Sequence, residues 1–180
     1  MVIKGDLVNN RVLIWDLSSA KTLYKMGFFG KYVGVRKARE LETDRPLEVS
    51  LVEACYLVEQ GILKVEADGK VLSLEELLKI SRGAYENFDE VYRVYKDLKS
   101  RGYVVKSGIR FGTTFAVYEH GPGIDHAPFL VHVLPFSEKL DPLEIIRAGR
   151  LSHSVKKRFV LATVDREKGE IHYFVFKWFG

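Results

Sequence analysis

The chain has 180 residues, which suffices for one large domain or two small ones with a buried core. Its hydrophobic content of 47% and charged content of 29% are those of an ordinary soluble globular protein. No apolar run approaches the ~20 residues that a membrane-spanning helix needs, and the polar N-terminus lacks the apolar segment of a signal peptide. These features exclude a membrane protein and predict a cytoplasmic location.

The net charge of +4 is modest, but basic residues are concentrated in one stretch. Between Ile145 and Val164 there is no acidic residue, whereas five basic residues fall there: Arg147, Arg150, Lys156, Lys157 and Arg158. A local basic patch is the expected footprint of a phosphate backbone, although a solvated positive surface has the same composition.

The numbers and spacing of cysteine, histidine and acidic residues predict neither a metal site nor a disulfide. The single cysteine, Cys55, lies among apolar residues and is expected to be a buried small hydrophobe. There is no HxxxH or HExxH spacing and no Asp/Glu cluster. We therefore expect neither a metal nor another cofactor.

The first half of the chain alternates strand and helix signals. Two strands with a turn at Asn9-Asn10 precede a short helix, which Gly27 is expected to end. A polar connector at residues 36–46 leads to two more helices, separated by a hairpin turn at Asp68-Gly69. Each of these helices has a capping box at its start and a glycine at its expected end: Ser50 with Glu53 and Gly61, then Ser73 with Glu76 and Gly83.

From about residue 87 the order is a helix, several strands, a second helix and two final strands. The first helix is predicted for residues 87–101. The segments YVVKSG, IRF, TTFAVYEH and FLVHVLPF are typical of strands. Asp141 begins a helix that is expected to run to about Ala148, and the last two strands flank the turn 165–170. The change of pattern predicts a mixed α/β protein with a boundary near residues 83–87.

Three polar residues of the second half form a set that suits RNA cleavage. RNA carries its own nucleophile, the 2′-hydroxyl, so it needs only a base, an acid for the leaving 5′-oxygen and positive charge for the developing phosphorane. Tyr118 at a strand end, His126 in the following loop and Lys157 in the basic stretch fit these roles. Tyrosine is a poor base unless a nearby cation, such as Lys157, lowers its pKa.

Each of these residues also has an ordinary structural interpretation as a packed ring, a solvated loop histidine or a surface lysine. His120 lies in the same loop and is an alternative to His126. A metal-dependent DNA nuclease is disfavoured, because no acidic pair accompanies Lys157. Composition and spacing alone therefore reach only a two-part α/β protein with a basic patch.

Two longer segments of the sequence indicate a particular protein family. VYRVYKDLKSRGYVVKSGIRFGTTFAVYEHG and the later RLSHSVKKRFVLATVD closely resemble the archaeal tRNA-splicing endonuclease family. The resemblance is strong from about Asn87 to Asp165 and is compatible across the N-terminal half. It implies a small N-terminal α/β domain at 1–85 and a C-terminal α/β nuclease domain, with a central mixed sheet, at 86–180. It also implies metal-independent cleavage of precursor tRNA at the intron boundaries of a bulge–helix–bulge, which leaves 2′,3′-cyclic phosphate and 5′-hydroxyl ends.

The family's site residues carry over one by one. The resemblance makes Tyr118 the base, His126 the acid and Lys157 the transition-state stabiliser, since the family phrase SVRK reads SVKK here. Arg150 falls where family members place an arginine that clamps a bulge base. Lys156 stands where the family often has arginine, which keeps the charge but loses the bidentate fork.

Family members work as tetramers, as fused-repeat dimers, or as catalytic subunits paired with structural ones. The chain has no internal repeat, which leaves a homotetramer or a heterotetramer with a structural subunit. Because Tyr118, His126 and Lys157 are all present, the resemblance implies a catalytic chain. The apolar last strand, IHYFVFKWF, is expected to pair across a two-fold axis. The acidic turn 165–170 is expected to enter a basic pocket on a neighbour. The alternative is a non-catalytic RNA-binding or structural subunit of such a complex.

Overall fold

Residues 2–35 and 43–177 are described by a computed structural model, in which the chain divides into two units between Phe88 and Asp89. Most of the polar connector predicted for 36–46 lies outside the described residues, as do the last three residues of the chain. Within the described ranges no helix has the length and apolarity needed to cross a membrane.

The N-terminal unit is a six-stranded mixed sheet with three helices. Its strands are β1 (Ile3–Val8), β2 (Arg11–Ile14), β3 (Lys31–Tyr32), β4 (Leu47–Ser50), β5 (Leu63–Ala67) and β6 (Lys70–Val71). They lie in the order β3-β4-β2-β1-β5-β6, with β1 and β5 parallel and the other neighbours antiparallel. The helices are α1 (Leu17–Gly27), α2 (Leu51–Glu59) and α3 (Leu74–Ala84).

The local signals at turns and helix starts are confirmed in this unit. Asn9 and Asn10 both have positive φ, 46° and 60°, as a tight hairpin turn between β1 and β2 requires. Both predicted capping boxes are formed, and their serine hydroxyls accept hydrogen bonds from the backbone N–H three residues later. Cys55 is fully buried, as predicted, with its Sγ 3.5 Å from the hydroxyl of Ser81.

Helix α1 ends at Gly27, as predicted, although Gly27 is the last helical residue and not the left-handed residue that follows it. Phe28 adopts the left-handed conformation after the helix, with φ 57°. A Cβ atom at Gly27 would lie 2.8 Å from the ring of Phe29, so this glycine provides space rather than a turn. Helix α3, in contrast, continues past Gly83, its predicted end, by one residue and ends at Ala84.

The C-terminal unit is a five-stranded mixed sheet with two α-helices. Its elements are α4 (Phe88–Ser100), β7 (Val104–Ser107), β8 (Phe115–Tyr118), β9 (Phe129–Pro135), α5 (Pro142–Ser154), β10 (Arg158–Val164) and β11 (Ile171–Phe176). The strand order is β11-β10-β9-β8-β7, with β9 and β10 parallel and the other neighbours antiparallel. The predicted mixed α/β fold is confirmed.

Two segments of this unit differ from the sequence-based prediction. The segment IRF forms a 3₁₀ turn, Ile109–Phe111, instead of a strand, because the backbone N–H groups of Phe111 and Thr113 both donate to the carbonyl of Gly108. Helix α5 continues past Ala148 to Ser154, since a single Gly149 is tolerated inside a helix. Arg150 therefore lies inside the helix rather than after it.

Gly108 is a position where side-chain volume is excluded, and we expect Gly108→Ala to lower the free energy of unfolding of the C-terminal unit by about 2 kcal/mol. A Cβ atom there would lie 2.3 Å from Thr113 Oγ1 and 2.8 Å from backbone of Phe115, although the φ of −95° itself suits alanine. Urea denaturation measures the change. In the matched control Gly83→Ala, the added Cβ meets nothing within 4 Å in helix α3, so a small gain of about 0.5 kcal/mol is expected. Equal effects of the two changes would contradict the steric argument.

Candidate active site

Three strand ends of the C-terminal unit meet at one edge of its sheet. Strand β8 runs antiparallel to β9, with Val117 opposite Phe129, so the end of β8 lies beside the start of β9. Strand β10 runs parallel to β9, with Arg158 also opposite Phe129, so β10 starts at this edge as well. Tyr118 ends β8 and Lys157 immediately precedes β10, while the loop with His126 leads into β9. The topology therefore brings the segments that carry the three predicted residues to one place.

Tyr118 is half-buried at this edge. Its ring packs against a small group of buried residues, Ala116, Ala127 and Leu130, hereafter the alanine cluster. Burial raises the pKa of the phenol, the positive charge of Arg110 lowers it, and the negative charge of Asp125 raises it. The pKa lies above the ordinary tyrosine value, because burial outweighs the opposing effect of Arg110.

Lys157 is held at the same edge by two contacts. Its Nζ donates a hydrogen bond of 2.7 Å to the backbone carbonyl of Ala127, the residue after His126. It also lies 5.6 Å from the centroid of the Phe111 ring, within the range of a cation–π contact. Burial lowers the pKa of the ammonium, although the charge of Asp125 opposes this. The lysine is thus partly desolvated and fixed beside the histidine loop, unlike an ordinary surface lysine.

The SVKK phrase positions Lys157 by ending helix α5. Lys156 has a left-handed φ of 55°, and the backbone N–H of Lys157 donates a 2.7 Å hydrogen bond to the carbonyl of Ser152. This is the usual geometry of a helix C-terminus that turns the chain sharply. The backbone N–H of Arg158 then donates to the carbonyl of Pro128 and starts β10 beside β9. The phrase therefore has a structural role in addition to the charge that it carries.

The loop between β8 and β9 is closed by Asp125, which the sequence reasoning missed. Its carboxylate accepts hydrogen bonds from the backbone N–H groups of Glu119, His120 and Gly121, at 3.0, 3.0 and 2.8 Å. Burial raises the pKa of Asp125, but these three hydrogen bonds outweigh it, and the net pKa is lowered. An aspartate inside a Gly/Pro-rich loop is a known signal for such turns, and it marks this position in GPGIDHAP.

His126, His120 and Arg150 are all exposed to solvent. The two histidines lie in the loop that Asp125 closes, so both remain candidates for the acid. Arg150 is on the last turns of α5 and is accessible to a ligand. Among the residues that the structure describes, no three His, Cys, Asp or Glu side chains come together as a metal site would require.

The family resemblance implies RNA cleavage, and we expect Asp125→Ala to slow its single-turnover rate by about ten- to a hundredfold. The substitution releases three backbone N–H groups and leaves His126 in a mobile loop. The lowered pKa gives the sign of the pH dependence: the loop is held above the ordinary carboxyl pKa and is released as pH falls through the lower folded value. Faster hydrogen exchange of the amides of residues 119–121 would report the release. Asp16→Ala, which removes a helix-capping carboxylate in the N-terminal unit, should leave the rate unchanged. Unchanged exchange in Asp125→Ala would contradict the prediction.

Comparison with known proteins defines the class of this protein. The model of the catalytic C-terminal domain of tRNA intron endonucleases matches residues 88–173, so the unit with the Tyr118 edge corresponds to an endonuclease domain. The model of the N-terminal domain of the same enzymes matches residues 3–78. The chain belongs to the tRNA intron endonuclease family.

Similar proteins cover nearly the whole chain. A protein named tRNA-splicing endonuclease from Hyperthermus butylicus is 45% identical over 178 residues, which are 98% of this chain and 98% of the relative. Proteins of the same name from Pyrobaculum islandicum and Saccharolobus islandicus are 46% and 42% identical over 180 and 179 residues, again with 98% of both chains covered. The predicted resemblance to tRNA-splicing endonucleases and the predicted endonuclease function are confirmed.

Proposed function

We propose that this chain cleaves precursor tRNA at intron boundaries, in a bulge–helix–bulge, by metal-independent attack of the 2′-hydroxyl. The observation that supports this mechanism is the arrival of Tyr118, the His126 loop and Lys157 at one sheet edge in an endonuclease domain. The C-terminal domain, residues 86–180, performs the chemistry, and the N-terminal domain, residues 1–85, has a structural role.

The reaction needs one proton taken and one proton given. Tyr118 accepts the proton of the 2′-hydroxyl, whose oxygen attacks the phosphorus, and the bond from phosphorus to the 5′-oxygen breaks. His126 donates a proton to that 5′-oxygen. The products are a 2′,3′-cyclic phosphate and a 5′-hydroxyl. Because the pKa of Tyr118 is raised in the free protein, only a small fraction is ionised near neutrality, and the rate should rise with pH on the alkaline side.

Lys157 stabilises the negative charge of the phosphorane. An ammonium group has three N–H donors, of which one is used by the carbonyl of Ala127. The remaining donors are available for the non-bridging oxygens of the phosphate. Such a charge, already fixed before the substrate arrives, stabilises the transition state without reorganisation. Arg150, which is exposed on α5, stacks on and clamps a bulge base.

The test is cleavage of an end-labelled bulge–helix–bulge RNA by the purified chain in EDTA, with the products assayed for a cyclic phosphate. Cutting at both junctions with a cyclic phosphate end is the expected result. A requirement for a divalent metal, or products with a 5′-phosphate, would overturn the mechanism. If the chain binds the RNA but cuts only after a candidate partner subunit is added, it acts within a heterotetramer. If it binds without cutting under either condition, it is a non-catalytic subunit.

We further propose that the chain works in a tetramer, either of identical chains or with a structural subunit, and that β11 contributes to the interface. Strand β11 is the last strand of its sheet, and it exposes three apolar residues: Phe174, Val175 and Phe176. An exposed apolar edge strand is a template for pairing with another chain. The turn at 165–170 would enter a basic pocket of a neighbour; its shape is fixed because Asp165 accepts the backbone N–H groups of Glu167 and Lys168.

Charge at the β11 edge should therefore dissociate the assembly. We expect Val175→Lys to lower the sedimentation coefficient at micromolar concentration, because it buries a charge at the pairing edge. Val71→Lys is a matched control, since Val71 is on β6, the last strand of the other sheet, and both valines are 49% exposed. A wild-type chain that sediments as a strict monomer would contradict the proposed role of β11.

A further inference from the structure

One aromatic ring at the sheet edge is flanked by two positive charges. The 3₁₀ turn Ile109–Phe111 places Phe111 against the alanine cluster, on which Tyr118 also packs. Nζ of Lys157 lies 5.6 Å from the centroid of the Phe111 ring, and the guanidinium carbon of Arg110 lies 5.9 Å from it. Both distances are in the range in which a ring attracts a cation.

We propose that Arg110 and Phe111 belong to the active site. Phe111 is a positioning residue, which holds the Lys157 ammonium at the sheet edge together with the carbonyl of Ala127. Arg110 supplies a second positive charge, beside Tyr118 and the scissile phosphate. This inference rests on the proposed roles of Tyr118 and Lys157 and deepens them.

Lys157 needs a second contact, from the Phe111 ring, because its charge is at the end of a flexible four-carbon stem. The hydrogen bond to Ala127 fixes the distance of Nζ from one atom only. The Phe111 ring contacts the ammonium as well, and a ring attracts a cation without using any of its N–H donors. The two contacts together restrict the ammonium and leave the remaining N–H groups free to donate to phosphate oxygens.

Arg110 is placed where its charge acts on Tyr118. The charged groups that act on the phenol are Arg110, from the 3₁₀ turn, and Asp125, from the β8–β9 loop. Lys157, at the start of β10, interacts with the same Asp125, while Glu119, His120 and His126 are exposed in that loop. Arg110 is the group among these that stabilises a tyrosinate, and it opposes the effects of burial and of Asp125.

The 3₁₀ turn also faces solvent. Arg110 is exposed, and its neighbour Ile109 is 82% exposed, so an RNA strand has access to both. A guanidinium can pair with two oxygens of one phosphate. The turn is therefore suited to hold the scissile phosphate between Arg110 and Lys157.

The test for Arg110 is the pH–rate profile of single-turnover cleavage. We expect Arg110→Gln to shift the rise of the cleavage rate with pH to higher pH. At neutral pH the rate should fall by about three- to tenfold, and it should recover as the pH is raised. The difference from the wild-type rate should be smaller at high salt, which screens the charge of Arg110. Arg110→Lys should restore most of the rate. Arg147→Gln, a control that removes an equal charge from exposed α5, should raise KM without moving the profile. If Arg110→Gln, like the control, raises only KM, then Arg110 merely contacts the phosphate backbone of the RNA, and its assignment to the active site is wrong.

The test for Phe111 is a double-mutant cycle with Lys157. We expect Phe111→Leu, which keeps an apolar side chain, to lower kcat by about three- to tenfold in the wild-type background and to have no further effect in Lys157→Ala. Phe111→Tyr, which retains the ring, should preserve the rate. Equal losses in both backgrounds would show that Phe111 only supports the fold, and would overturn its assignment.

Failure of this inference is distinguishable from failure of the proposed function. If Tyr118→Phe and Lys157→Ala cleave like the wild-type chain, the proposed mechanism itself is wrong. If those two variants are slow while the Arg110 and Phe111 variants match the wild type, only the additional assignments are wrong.

Discussion

Lys157→Ala is expected to lower kcat for precursor-tRNA cleavage by about 10²–10³-fold, which is the usual loss when one fixed transition-state donor is removed. The lysine is already partly desolvated and bonded to the carbonyl of Ala127, so its charge costs no reorganisation during the reaction. Removal of that one hydrogen bond should change the free energy of unfolding by only about 1 kcal/mol. Single-turnover rates and RNA affinity, measured together, separate the catalytic effect from binding.

Lys156→Ala is the matched control for this experiment. It removes the same charge from the neighbouring residue, whose side chain is exposed, and both lysines would contribute equally to a general attraction for RNA. We expect a modest rise in KM and a kcat within about threefold of the wild-type value. If the two variants lose activity by the same route, through KM alone, Lys157 is a binding residue and not a transition-state stabiliser.

The second large effect is expected for His126→Ala, with a loss of about 10²–10⁴-fold if His126 is the general acid. The acid is needed because a 5′-alkoxide is a poor leaving group. A substrate in which the leaving 5′-oxygen is replaced by sulfur does not need the proton. His126→Ala should therefore cleave the sulfur substrate at close to the wild-type rate, whereas Lys157→Ala should remain slow on both substrates.

His120→Ala decides between the two loop histidines. Both are exposed in the loop that Asp125 closes, but the side chain of His120 is not needed for the hydrogen bond that its backbone N–H donates to that carboxylate. We expect this variant to cleave the natural substrate normally. If His120→Ala is slow and is rescued by the sulfur substrate, while His126→Ala is not, the acid has been assigned to the wrong histidine.

Features that depend on neighbouring residues were predictable from the sequence. The capping boxes at Ser50 and Ser73 and the turn at Asn9-Asn10 form as expected, because each is decided within four or five residues. The mixed fold followed from the succession of such strand and helix signals, and the family followed from two longer segments of the C-terminal half. The reason for the glycine at position 27 depends on tertiary packing instead: its missing Cβ makes room for the ring of Phe29, while Phe28 takes the left-handed conformation after helix α1.

The surroundings of the site could not be predicted, since they join residues far apart in the chain. The hydrogen bond from Lys157 to the carbonyl of Ala127 joins residues 30 positions apart, and neither segment contains a local pattern that predicts it. The same is true of the contact between Lys157 and Phe111, whose segment resembled a strand and formed a 3₁₀ turn. The raised pKa of Tyr118 could not be predicted either, because it is caused by burial, which depends on packing against the alanine cluster.

The parallel pairing of β9 with β10 determines when the site can form during folding. Strands β8 and β9 are antiparallel neighbours joined by one short loop, so Tyr118 and His126 come together by a local, rapid closure. Lys157 arrives on a strand that pairs with β9 only after α5 has crossed over, which is a slower, non-local step. In a chain that folds as it is synthesised, the two groups proposed for proton transfer therefore meet first, and the proposed cation joins them only when β10 has docked on β9.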